Sequence, residues 1–269
     1  MNRRSFLASS AAASAYALGN SKSDLRGAES SADPAGREYY VLRRYHLSRG
    51  PQEKLTDDFL KNALIPSLNR LGIKPVGVFN AAIGPQSPTF CVLIPSASLE
   101  TLANVDFRLE RDADYLKVGA PFLNAPATAP AYVRMESSLL KAFAGFPKLV
   151  LPAATAARAA RFFELRTYES PSDAAHRRKV EMFNHGEFDV FREAGFWQVF
   201  YGDTLVGPRM PNLTYMVGFS SLTERQKMWQ AFGASPAWKK LSSDPRYSYE
   251  EIVSSITNVV LSPTAYSQI

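Results

Sequence analysis

The chain spells the element order β-α-β-β-α-β twice. That order predicts an α+β fold of two tandem ferredoxin-like repeats with their sheets packed face to face. Three observations carry the prediction. The strand text Glu38-Tyr-Tyr-Val-Leu-Arg-Arg-Tyr45 returns as Arg161-Phe-Phe-Glu-Leu-Arg-Thr-Tyr-Glu169. Matched residues keep nearly one spacing: Leu42 to Leu165, Tyr45 to Tyr168 and Gly72 to Gly195 are each 123 apart, and Thr89-Phe-Cys-Val answers Thr214-Tyr-Met-Val at 125. The first long helical pattern of each half also ends on a glycine, the residue that leaves a helix at least steric cost. A spacing held through strand, helix stop and second helix (Tyr115 falls opposite Trp238) reads as an internal duplication.

In the first half, a strand over 38–46 is turned by Ser48-Arg-Gly-Pro51. Leu55, Phe59, Leu60, Ala63, Leu64, Leu68 and Leu71 then recur at helical spacing, with Pro66 expected to kink the helix and Gly72 to stop it. Strands are expected over 73–83 and 89–94, a second helix over 98–117, irregular chain over 120–130 and a fourth strand over 131–143. Residues 145–160, rich in alanine and holding two prolines, read as the linker. The pattern restarts with a strand over 161–169. Ser170-Pro-Ser-Asp173 is a helix start with Ser170 as cap, and the helix ends at Gly195. Strands over 196–202 and 213–220, a helix opened by Ser221-Leu-Thr-Glu224 and broken at Pro236, and a strand over 249–261 complete the repeat. The organisation is therefore 1–30 leader and spacer, 37–144 first repeat, 145–160 linker and 161–269 second repeat.

The leader reads as an address. Arg3-Arg4-Ser-Phe-Leu7 fits the twin-arginine pattern, and an Ala/Ser-rich stretch with small-residue cleavage sites follows. The stretch is too short and polar to span a bilayer. The expectation is export to the bacterial periplasm, with no stable membrane insertion after the signal is removed. The net charge of +6 includes those two arginines and has no Lys/Arg run elsewhere longer than three residues, which argues against nucleic-acid binding. The lone Cys91 sits in an apolar run and reads as a buried, inert thiol. His46, His176 and His185 lack metal-ligand spacing, so no metal site is predicted, and no cofactor is identified.

The residues of the second half resemble the NIPSNAP family: the Glu164-Leu-Arg-Thr-Tyr168 strand, the glycine-stopped helix before Phe196-Trp-Gln-Val-Phe-Tyr-Gly202, Pro211-Asn-Leu-Thr-Tyr215 and the ending Leu261-Ser-Pro-Thr-Ala-Tyr-Ser267. The first half looks like a diverged copy. The resemblance implies a dimeric α+β barrel architecture, with helices outside, and brings no established catalytic residues.

Strand side chains alternate between faces. Tyr40, Leu42, Phe163 and Leu165 are assigned to the helix side. Arg43, Tyr45, Glu164, Arg166 and Tyr168 are assigned to the space between the sheets. Charges buried there must pair with one another or line a ligand cavity. The ligand reading makes Arg166 or Arg43 the anchor for an anionic or carbonyl oxygen, Tyr168 or Tyr45 a donor, and Trp197 and Tyr201 the walls. It leads to a small-molecule binder, with a cofactorless oxygenase as one form. The alternative is a non-catalytic interaction module whose polar strand face is structural. A second candidate is His185 with Glu187, as an acid/base pair or as ligands to haem or metal. Against it, a half-turn shift would carry Glu187 to the surface; His176 is also expected to be exposed. Free sheet edges leave a homodimer open.

Overall fold

Strand β1 (Tyr39–His46) is the hub of the first half, hydrogen-bonded on one side to β3 (Thr89–Ser96) and on the other to β4 (Arg134–Ala142); β3 in turn holds β2 (Gly77–Ile83). The second half repeats this arrangement around β5 (Phe162–Glu169), with β7 (Asn212–Phe219), β8 (Ser255–Pro263) and β6 (Trp197–Val206). The computed structural model describes residues 36–84 and 87–269; the Arg3-Arg4 leader and residues 30–35 of the spacer lie outside the described residues. All pairings are antiparallel. β2 also pairs with β8, and β4 with β6, so the eight strands close into one barrel in the order β1-β3-β2-β8-β5-β7-β6-β4. The sheets expected to be stacked are thus continuous with each other. Closure uses every edge among the described strands, which removes the edge pairing that left a homodimer open.

The helices lie outside the barrel. In the first half, α1 (Pro51–Phe59) runs through a π turn, Leu60–Leu64, into α2 (Ile65–Arg70). Pro66 follows that widened turn and ends nothing. The expected second helix is three pieces, α3 (Leu99–Ala103), α4 (Val105–Leu109) and α5 (Ala113–Leu123); Asn104 and the 110–112 turn break it, and α5 carries Pro121 through chain expected to be irregular. The linker holds the short α6 (Ala153–Ala156). In the second half, α7 (Asp173–Met182), a π turn Phe183–Glu187 and α8 (Phe188–Glu193) match the first half turn for turn at the 123 spacing. Helices α9 (Leu222–Ala234), α10 (Pro236–Ser242) and α11 (Tyr249–Ile252) follow. The cap of α7 is Ser172, whose oxygen accepts from the Ala175 N–H, whereas Ser170 is buried and donates to the Ile252 carbonyl. Ser248 starts α11, so the last strand begins at Ser255 instead of residue 249.

The register refines the repeat. Leu42 pairs with Leu93 and Leu165 with Met216, so the 123 spacing holds on both strands; Thr89 answers Asn212, not Thr214. The spacing shifts to 121 in the closing strands, where Val41 faces Leu139 and Glu164 faces Val260.

Strand alternation is as expected, but its sense is inverted. Tyr40, Leu42, Phe163 and Leu165 point into the barrel, where they pack with Phe79, Leu140, Phe200, Met216, Leu261 and the C-terminal Ile269. The opposite faces of the strands pack under the helices in two further clusters, one per half. The aromatic residues and Ile269 fill one end of the barrel. Toward the other end the interior side chains become polar: Arg44 and His46 on β1, Thr89 on β3, Glu136 on β4, Thr167 on β5 and Thr257 on β8.

Candidate functional site

This polar end encloses a cavity of about 340 Å³, with a floor of Ala81, Cys91, Leu165 and Val259 and a rim that includes the exposed Pro208 and Arg209. Six strands contribute, because interior positions recur every second residue and the polar ones cluster where β1 and β5 end and β3 begins. The size lies at the lower end of small-molecule sites.

His46 is buried. Its Nδ1 lies 3.3 Å from the Thr89 hydroxyl, and its Nε2 lies 3.3 Å from Glu136 Oε2. The second approach is close enough for charge attraction but lacks hydrogen-bond geometry, and Nε2 has no hydrogen-bond partner. Glu136 Oε1 accepts from Arg134 Nε at 2.9 Å. Burial pushes the Glu136 carboxyl up, but His46 and Arg134 outweigh it and hold the carboxyl below its ordinary value. Arg209, in the left-handed region at φ 58°, reaches back to Glu169 and Thr257. Its neighbour Arg44 stands directly across from Cys91 and Glu136 in the register yet forms no ion pair among the described residues. Burial raises the Cys91 thiol while Arg44 pulls it the other way.

The residues singled out from sequence lie elsewhere. Glu164, Arg166 and Tyr168 do not face the barrel interior. They lie beneath α9 and α7 in a shared network, in which Arg166 Nε alone is left without a partner among these three side chains. Glu164, fully buried, accepts from Arg166 Nη1 at 3.0 Å, from Arg225 Nε and Nη2 at 2.8 Å and from Trp229 Nε1 at 2.8 Å. Burial acts to raise this carboxyl, but Arg225, Arg166 and Trp229 prevail and lower it. Arg166 also donates to the Tyr168 hydroxyl at 3.0 Å and stacks 4.5 Å from the Trp229 ring centre. Arg43 and Tyr45 occupy the matching place in the first half, where Arg43 Nη2 grips both Asp106 oxygens at 2.8 Å. Tyr201 is buried under the helices with its hydroxyl on Gln198, and Trp197 sits against Gly218 at the plugged end, so neither walls the cavity.

His185 and Glu187 do not form a pair. His185 is exposed, with Nδ1 at the Glu181 carbonyl. Glu187 keeps the register of Leu64 and is buried, contrary to the surface shift, because Lys179 comes with it: their charged atoms are 2.7 Å apart. Burial pushes the Glu187 carboxyl up against the pull of Lys179. The ammonium is caged by the rings of Phe183 at 4.6 Å, Tyr168 at 5.2 Å and Trp238 at 6.0 Å. His176, expected at the surface, is buried with Nε2 on Asp203 at 2.7 Å.

Sequence reading missed Arg44 and His46 because the wrong strand face was taken as inward. The available signal was Arg44 and His46 at alternate positions with Tyr40 and Leu42, a stripe that turns from apolar to charged along one strand.

Residues 163–268 match the NIPSNAP family model. The NIPSNAP match begins at the start of β5, and no curated protein matches the sequence. A candidate monooxygenase from Lactobacillus acidophilus superposes with a TM-score of 0.52 at 9% identity over 84% of this chain and 94% of its own. An anthrone oxidase-like protein gives 0.51 at 10% identity over 85% and 92%. A NIPSNAP-like domain protein from Burkholderia xenovorans is 20% identical over 40% of this chain and 88% of its own, at a TM-score of 0.36. The first two likenesses establish a fold of the dimeric α+β barrel type and carry no reaction with them.

Proposed function

We propose that the chain binds a small molecule at the polar end of the barrel, one with an apolar body and a carboxylate or carbonyl oxygen. The single observation that carries this is Arg44: a guanidinium on the cavity wall with no counter-ion among the described residues. Arg44 is half-buried, whereas the buried charges are paired within the protein. A half-buried guanidinium beside an apolar floor can take an oxygen pair from a ligand in place of solvent, and its planar fork suits that geometry. Leu165, Val259, Ala81 and Cys91 receive the apolar body.

Titration calorimetry with small aromatic and aliphatic keto acids, phenylpyruvate among them, tests the reading. Arg44→Met is expected to weaken binding roughly 10- to 100-fold, the worth of a charged hydrogen bond. Equal affinity in the wild type and Arg44→Met would sink it. A second reading, an interaction module whose polar strand face is structural, is supported by the Glu164 carboxylate, which is answered by Arg166, Arg225 and Trp229.

Two finer readings belong with this one. The chain descends from a duplicated ferredoxin-like unit, supported by the matched π turns and the shared 123 spacing. It is exported through the twin-arginine route, supported by Arg3-Arg4-Ser-Phe-Leu7. Replacing both arginines with lysine and fractionating cells checks the second: periplasmic protein is expected to vanish.

A further inference from the structure

Resting on the binding reading above, we infer that Arg209 is a second anion clamp at the mouth of the cavity, so that the preferred ligand carries an acid group at each end of its apolar body. Three observations converge on this. The first is placement. Arg44 lines the wall and Arg209 the rim of one cavity of about 340 Å³, so a molecule filling it borders both guanidiniums. The second is that most of the Arg209 donors are uncommitted. Both of its side-chain contacts among the described residues use Nη1. One is a hydrogen bond to the Thr257 hydroxyl at 3.1 Å, and the other an approach of 3.2 Å to Glu169 Oε1 that lacks hydrogen-bond geometry. Nε and Nη2 make no hydrogen bond among the described residues. The third is a rigid mount. Arg209 holds φ 58°, a left-handed backbone that a residue with a Cβ disfavours. The buried Asn212 amide imposes it, donating to the Pro208 carbonyl at 3.0 Å and the Arg209 carbonyl at 2.9 Å while its oxygen accepts from Thr204 at 2.7 Å. A strained residue fixed in this way over a cavity mouth is pre-organised for a ligand.

The nearby acids leave this charge available. Glu136, the carboxylate on the cavity wall, is held by Arg134 at 2.9 Å. Glu169 shares Arg209 only through an ion pair whose arginine side is 46% exposed, and such a pair is weak enough for a ligand to exchange with it. The ligand class is therefore a dianion with a short apolar spacer, a dicarboxylate or a keto diacid. One acid takes Arg44, the spacer lies on the floor of Leu165 and Val259, and the other acid takes the Nε–Nη2 edge of Arg209. That edge grips a carboxylate with two parallel hydrogen bonds, as Arg225 grips Glu164 at 2.8 Å elsewhere in this chain. Arg209 thus determines specificity, and Glu169 is the internal competitor that the second acid displaces.

Calorimetry compares glutarate, adipate and pimelate with pentanoate, hexanoate and heptanoate, chains of equal length that lack the second acid. The wild type is expected to bind the best diacid about 10-fold tighter than its monoacid partner at low salt, with the advantage shrinking as sodium chloride is added. Arg209→Asn keeps the left-handed backbone, which asparagine tolerates, and should abolish the preference with monoacid affinity unchanged. Glu169→Gln removes the competitor and should tighten the diacid about 3-fold, a gain that a merely structural ion pair would not give. Arg44→Met should weaken diacids and monoacids alike. Equal or weaker binding of the diacids in the wild type would overturn the second clamp and leave the binding reading standing. No binding of any of these acids or of phenylpyruvate would overturn both. A diacid preference that survives in a folded Arg209→Asn, judged by circular dichroism, or a fall in diacid affinity in Glu169→Gln, would overturn the role of Arg209.

Discussion

Residue 164 in the second half is a glutamate and its counterpart in the first, residue 41, is a valine; residue 225 is an arginine and its counterpart, residue 102, a leucine. The same exchange recurs one helix away. Lys179 and Glu187 in the second half stand where the first half has Thr56 and Leu64. In each case both members of a touching pair differ together, so the second half buries an ion pair where the first buries neutral or apolar side chains. The fold therefore does not need these charges, but once one is buried the other must accompany it, because an unpaired buried charge costs several kcal/mol, roughly. The arginines present in both halves make the same point. Arg43 is neutralised by Asp106 from the helix opposite. Arg166 finds Trp229 at that helical position and takes its carboxylate from Glu164 on its own strand.

The most demanding test of this contrast between the halves is Glu164→Gln. It strands Arg166 and Arg225 around a neutral amide and is expected to cost about 3 kcal/mol in urea unfolding. The double variant Glu164→Val with Arg225→Leu, copying the first half, should recover more than half of that. A double variant as unstable as the single would end the coupled-pair account. Next in size is Lys179→Thr, expected at about 2–3 kcal/mol because Glu187 remains buried, with Glu187→Leu added in the same chain restoring much of the loss. Smaller again is Gly186→Ala. Gly186 sits at φ 141° inside its π turn, whereas its counterpart Ala63 is accommodated in the π turn of the first half. A side chain at 186 is therefore expected to cost about 1–2 kcal/mol in thermal unfolding. The smallest effect is in pH. Glu164 and Glu136 have folded values below their unfolded ones, so their contribution is present above the unfolded value, about 4.3, and is lost as pH falls through the folded values. As pH falls below about 4, the wild type should lose stability more steeply than Glu164→Gln, read from urea midpoints at each pH.

Much of the architecture was legible from residue order. The glycine stops at 72 and 195, both at positive φ, and the repeated strand text mark local choices that the chain makes without distant help. The broken second helix was not legible: Asn104 and the 110–112 turn interrupt a pattern whose apolar spacing looks continuous. Nor was the burial of Glu187, since a carboxylate at a leucine register is read as an error unless the lysine two turns earlier is known to meet it.

The site shows the limit most plainly. Alternation along β1 determines from sequence alone that Tyr40, Leu42, Arg44 and His46 share one face, and that Val41, Arg43 and Tyr45 share the other. Both faces are apolar for part of their length and charged for the rest, so the pattern itself carries no label for inside. Closure of the barrel through β2–β8 and β4–β6 supplies that label. It turns the Leu42 face inward, and with it Arg44 and His46, while Glu164 and Arg43 are sealed beneath helices whose own charges and rings complete them. Which residues travel together is a property of the pleat; which of them meet a ligand depends on contacts between strands far apart in the chain.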